Sequence, residues 1–156
     1  MKLHIWWLLL LPLIGCASQQ EQTMRRLSGI AEQLLARECE QPRFSYRQVE
    51  NSHLPGLVDE VETLRCPGLM AQTYLSEAAA TPNGMPILLV VSAPQPELPP
   101  FMNIGASREG LVAELGRPAR QGPQLLRYQS AETTENVTFR LVGDRIVTIR
   151  WEWYFD

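Results

Sequence analysis

Residues able to do chemistry are sparse in this chain, and their types narrow its possible activities. Of two histidines, His4 sits in an apolar leader, which leaves His53 as the imidazole of the folded part. One histidine with no cysteine close by gives no metal-ligand spacing. A serine using His53 as its base is permitted, since triads assemble in space, but nothing singles such a serine out. Asp59, Glu60 and Glu62 stand close enough to suggest paired carboxylates for glycoside cleavage. The competing reading, a solvated helix face, has the stronger claim on them. No Gly-x-Ser-x-Gly elbow, phosphate-binding glycine loop or dinucleotide fingerprint occurs. The sequence therefore points to no catalytic residue, no metal and no cofactor.

The amino terminus carries a different chemistry. Met1-Lys2-Leu3-His4 is a short basic start, Ile5 to Leu13 is almost wholly apolar, and Leu13-Ile14-Gly15-Cys16 closes the run with small residues before a thiol. That tetrapeptide resembles the lipobox of bacterial lipoproteins, in which the thiol is diacylated, the preceding peptide bond is cut and the new amine is acylated. The resemblance implies a signal peptide over residues 1–15, lipidation of Cys16, and attachment to a membrane through that lipid. A transmembrane span needs about 20 apolar residues, and this run ends before the polar stretch Ala17-Ser18-Gln19-Gln20-Glu21-Gln22. One acyl chain anchors a protein marginally, whereas several on one cysteine anchor it stably. Ala17 and Ser18 lack the aspartate that marks inner-membrane retention in such proteins, which implies the outer membrane, facing the periplasm.

Removal of the leader leaves about 140 residues, enough for one domain or two very small ones. Thirteen arginines then face seventeen acids, a formal charge of −4. The arginines are scattered singly, apart from the pair Arg25-Arg26, with no run to track a phosphate backbone, so nucleic acid is not expected as a partner. With Cys16 assigned to lipid, Cys39 and Cys66 remain as an even pair in an oxidising space, and a disulfide is expected. Two buried free thiols are the alternative, because sequence alone does not bring the pair within bridging distance.

The elements follow from periodicity. Residues 16–22 read as a tether, and residues 23–93 as an amino-terminal α/β half. There Thr23 caps a helix with Met24, Leu27, Ala31, Leu34 and Leu35 on one face. Phe44 to Val49 reads as a strand, and Leu57, Val58, Val61 and Leu64 fit a second helix, since strict alternation would put acids on both faces. Leu69 to Leu75 and Met85 to Val91 form a hairpin across Thr81-Pro82-Asn83-Gly84. Residues 94–103 are a proline-rich connector.

Residues 104–156 form a helix and a three-stranded meander. Ser107 caps the helix, which carries Leu111, Val112 and Leu115 and ends at Gly116 with Pro118 just beyond. The strands are Gln124 to Gln129, Asn136 to Val142 and Arg145 to Phe155. Val137, Phe139 and Leu141 must share a core with Val147, Ile149, Trp151, Trp153 and Phe155. A two-residue Gly143-Asp144 turn would set those rows on opposite faces, so an odd, bulged loop pairing Leu141 with Val147 is expected. A shift of 54 residues lays Gly56 to Val61 on Gly110 to Leu115 and suggests two tandem helix-then-sheet units, though chance also produces such matches. The fold class is α+β, with helices packed on an antiparallel sheet. On the last strand Arg150, Glu152 and Tyr154 point away from the core. They could meet a partner, most readily if that strand lies at a sheet edge.

Ile104-Gly105-Ala106-Ser107, Leu111, Leu115-Gly116-Arg117-Pro118, Tyr128, Val137-Thr138-Phe139 and Val147-Thr148-Ile149 together resemble the SmpA/OmlA type of small outer-membrane lipoprotein. The resemblance covers the last third of the chain. It implies an α/β fold like that of the β-lactamase-inhibitor protein and a place among accessories of β-barrel assembly, whose Gln-Gly-Asn stretch is absent here. The expected function is a non-catalytic binding or envelope-assembly accessory with an envelope protein as partner. The alternative is a periplasmic inhibitor or ligand-binding module directed at a wall hydrolase through a loop such as Ala78 to Gly84. A wall-modifying enzyme is a third reading.

Overall fold

A computed structural model describes residues 15–78, 81 and 83–153, the first four of them by backbone alone. The leader ahead of Gly15, and the final Tyr154 and Phe155, lie outside the described residues. The order is α1 (Gly15–Ala36), β1 (Arg43–Glu50), β2 (Val58–Cys66), β3 (Leu69–Leu75), β4 (Met85–Val91), α2 (Arg108–Leu115), β5 (Arg120–Gly122), β6 (Leu125–Gln129), β7 (Asn136–Val142) and β8 (Arg145–Glu152). The strands form one antiparallel sheet ordered β1-β2-β3-β4-β8-β7-β6-β5.

This is the expected α+β class, and it contains two helix-then-four-strand units joined where β4 pairs with β8. The 54-residue shift does not describe them. It lays β2 on α2, whereas the helix of the first unit is α1. The segment from Val58 to Cys66, expected as a helix, is a strand that alternates as a strand should, with Asp59, Val61 and Thr63 buried. The acid that argued against alternation is indeed inside.

α1 also begins earlier than expected. Residues 16–22 are helical rather than a tether, and Thr23 lies inside the helix, where its hydroxyl donates to the Leu115 carbonyl at 3.1 Å. Glutamine, glutamate and alanine are good helix formers, so a polar stretch without a breaker extends a helix as readily as it makes a linker. The buried side of α1 is Met24, Leu27, Ile30, Ala31 and Leu34. It packs on a row from the sheet that includes Ala71, Leu89, Trp151, Val137 and Tyr128. Trp151 is 1% exposed, and its indole N–H donates to the Leu27 carbonyl at 3.1 Å. The connector belongs to this core through Leu98 and Met102, both buried, so the two halves are not separate domains.

In the second half Ser107 caps α2 by accepting from the Gly110 N–H, and Gly116 ends it at φ +77°. The hairpin of β7 and β8 turns in two residues after all. Gly143 (φ +55°) and Asp144 (φ +59°) pair Val142 with Arg145, a turn with both central residues left-handed and a twist that suits the strands. The frame is corrected further in: Leu141 pairs with Ile146 and Arg140 with Thr148, leaving Val147 as the extra residue. Ile146 takes the core position expected of Val147.

The cysteine pair bridges as expected. Cys39, just after α1, and Cys66, at the end of β2, form a disulfide with Cα atoms 5.9 Å apart.

Candidate interaction surface

α1, α2 and the connector all share one core on one face of the sheet. Among the described residues the other face carries no helix, and pairing fixes which residues it presents, because directly opposed residues point to the same side. One row runs across all eight strands: Arg43, Arg65, Met70, Val90, Arg150, Thr138, Arg127, Arg120. At a strand spacing of about 4.8 Å the row spans roughly 34 Å. Arg47 and Arg140 lie in neighbouring rows of the same face. Seven of the chain's thirteen arginines therefore lie in these rows of the open face.

These arginines are sparingly neutralised. Among the described strand residues the acids of the open face are Asp59, which is buried, and Glu152, which pairs with Arg150 at 2.9 Å. Arg127 donates to the Thr138 hydroxyl at 3.2 Å. The guanidinium of Arg65 lies 3.9 Å from the Met70 sulfur. Arg43 directly opposes Arg65, and Arg120 opposes Arg127. Like charges so placed destabilise a sheet.

At the first-unit end of the sheet the opposite, helix-side face is acidic. Glu50, Glu60 and Glu62 point that way with Phe44, Tyr46 and Val58. The trio weighed as paired carboxylates is thus divided by the sheet, Asp59 on one face and Glu60 and Glu62 on the other. Tyr46 donates its hydroxyl to Glu62 at 2.9 Å, and that bond pushes the tyrosine pKa up.

Asp59, 3% exposed, accepts from the Tyr74 hydroxyl and from the Asn51 amide at 2.7 Å. The Tyr74 bond, with help from Ser76 and Asn51 and against desolvation, holds the carboxyl below its ordinary pKa and raises that of Tyr74. Asn51 in turn accepts from the backbone N–H groups of His53 and Leu54, both at 2.8 Å, so Asp59 fixes the loop between β1 and β2. A cleft of about 600 Å³ lies beside this network, lined by Val49, His53, Leu54, Val61, Tyr74 and Ser76. Tyr74 and Asn51 both donate to Asp59, and Asn51 holds the loop backbone, which makes the carboxylate a clamp for the loop. Among the described residues no group of three or more histidine, cysteine and acidic side chains converges as metal ligands.

Of the partner-facing residues expected on the last strand, Arg150 and Glu152 are on the open face, and Tyr154 lies outside the described residues. The edge position that would have favoured such a contact is not met. β8 is central, hydrogen-bonded to β4 on one side and β7 on the other, and the edges are β1 and β5. A strand that closes one hairpin and also joins two four-stranded units is buried by both. Counting arginines along the chain missed the arginine row, because it is assembled by register between strands. Of the loop from Ala78 to Gly84, residues 79, 80 and 82 lie outside the described residues. Among the described residues no helix is long and apolar enough to cross a membrane.

No known protein family, characterised protein or solved structure matches the chain.

Proposed function

We propose that this chain is a lipid-anchored, periplasm-facing accessory of the outer membrane, without catalysis of its own, that binds an acidic protein partner on its open sheet face. The observation that carries the reading is the cross-strand row with arginines at both ends and the apolar pair Met70 and Val90 between them. An apolar centre inside a charged rim is the anatomy of a protein interface. Guanidinium groups offer carboxylates two parallel donors. The row holds no aromatic residue on which bases could stack, which weighs against single-stranded nucleic acid. The opposed arginine pairs add support, because they cost the free protein stability that an acidic partner would restore. The anchor rests on the Leu13-Ile14-Gly15-Cys16 tetrapeptide. The disulfide between Cys39 and Cys66 fits an oxidising compartment.

Two measurements test this. A photo-crosslinking residue placed at Val90 or Thr138 in the native envelope is expected to capture a protein, and Arg65→Glu with Arg127→Glu is expected to abolish the capture. Capture only from helix-side positions would overturn the surface. Mass spectrometry is expected to find Cys16 as the acylated first residue, and a free thiol with residues 1–15 still attached would overturn the anchor.

A further inference from the structure

The two edges of the sheet are unequal. β5 is three residues long, whereas β1 is eight, pairs among the described residues only with β2, and is exposed at every position but Val49. A long edge strand offers a row of unpaired backbone donors and acceptors, which proteins usually shorten, bulge or cover. β1 is paired with β2 at every residue from Arg43 to Glu50 without a shift of register, so no bulge twists its edge away. Beside it the helix-side face exposes apolar side chains among its glutamates: Phe44 is 54% exposed, Tyr46 58% and Val58 57%. We propose that β1 is a docking strand, completed by an extended segment of another protein that adds to the sheet as a ninth strand.

Charge specifies that segment. On the open side β1 presents Arg43 and Arg47, with Arg65 behind them. On the helix side it presents Phe44 and Tyr46 at one end and Glu50 at the other, with Glu60 and Glu62 behind. The incoming strand therefore carries acids at the positions facing the open side. At the alternate positions it carries apolar residues opposite Phe44 and Tyr46 and basic ones opposite Gln48 and Glu50. The same pattern disfavours a second copy of this chain. Antiparallel pairing about a two-fold axis normal to the sheet keeps each face on its own side, so the arginines of both copies crowd the open side with no acid between them, and Glu50 of each copy meets the aromatic end of the other instead of a basic residue. The segment must come from a different sequence.

The test uses the full chain in detergent and labelled eight-residue peptides read by fluorescence anisotropy. One peptide carries lysine, lysine, valine and valine at odd positions and valine, glutamate, threonine and glutamate at even positions. Its counterpart has lysine and glutamate exchanged, so composition and net charge are the same. The first is expected to bind about ten-fold tighter, and Arg43→Glu with Arg47→Glu is expected to bring the two within about two-fold. N-methylation of the first peptide at one parity of its backbone is expected to abolish binding while the other parity leaves it intact, since only alternate amides face the docking strand. Equal affinities for the two peptides, or equal effects of methylation at both parities, would show an edge merely guarded by its arginines and overturn the proposal.

Discussion

Asp59 shows how one side chain misdirects a reading of sequence and then governs a piece of structure. An acid at a buried strand position argues for a helix until its donors are known, and those donors, Tyr74 and Asn51, lie on another strand and in a loop. By contrast Ser107 as a cap and Cys39 with Cys66 as a bridge are legible from residue type and spacing, because each depends on few neighbours. The network predicts a particular response to acid. A carboxyl held below its unfolded value of 3.8 contributes stability that is fully present above that pH and is lost as pH falls through the folded value. Tyr74→Phe removes the largest cause of the depression, so it should destabilise the protein at pH 7 and matter less at pH 3. Urea midpoints measured at both values check this, and an equal gap between wild type and variant at the two would refute the role given to the tyrosine. Asp59→Asn should likewise flatten the acid arm of the stability profile and quicken amide exchange from His53 to Leu57, the loop that Asn51 ties down.

At the scale of elements, what is local was legible and what is relational was not. β1, β3, β4 and β7 follow from alternation and turn residues, and α2 from its cap and terminal glycine, all fixed within a few residues. The place of β8 in the middle of the sheet depends on pairing with a strand about sixty residues earlier, which no local pattern encodes. The β7–β8 hairpin shows how faces stay aligned despite an even turn: the frame slips at Val147 instead of in the loop. The turn itself demands φ above zero at Gly143, so Gly143→Val should cost about 1–2 kcal/mol, while Gly143→Asn should cost much less. Equal losses in chemical denaturation would refute this account of the turn. The bridge from the end of α1 to the end of β2 closes a separation of 27 residues. Changing Cys39 and Cys66 together to serine should lower stability by about 3 kcal/mol in the chain-entropy treatment. Reduction of the wild type should reproduce the loss.

For the whole molecule, the formal charge conceals an uneven distribution. A chain with thirteen arginines and seventeen acids after its leader reads as mildly acidic and indifferent to polyanions. Folding separates the signs. Strand alternation and register gather seven arginines on the open face and set Glu50, Glu60 and Glu62 on the helix side at one end. The separation was invisible because it depends on the parity of every strand relative to its neighbours. A one-residue slip in any pair would send that strand's arginines to the other side. Such a field steers an acidic partner over a distance set by ionic strength. A ten-residue polyglutamate, about as long as the arginine row when extended, is a suitable probe. It should bind the wild type with an affinity that falls roughly ten-fold or more between 50 and 200 mM salt. Replacing Arg65, Arg127 and Arg140 by glutamine should weaken binding at low salt by a similar factor and flatten the salt dependence, whereas Glu60→Gln with Glu62→Gln should leave both nearly unchanged. Isothermal titration across salt concentrations decides the matter. If neutralising the helix-side acids moved the affinity as much as neutralising the arginines, the net charge of the chain, rather than the face on which folding has placed it, would be what the probe senses.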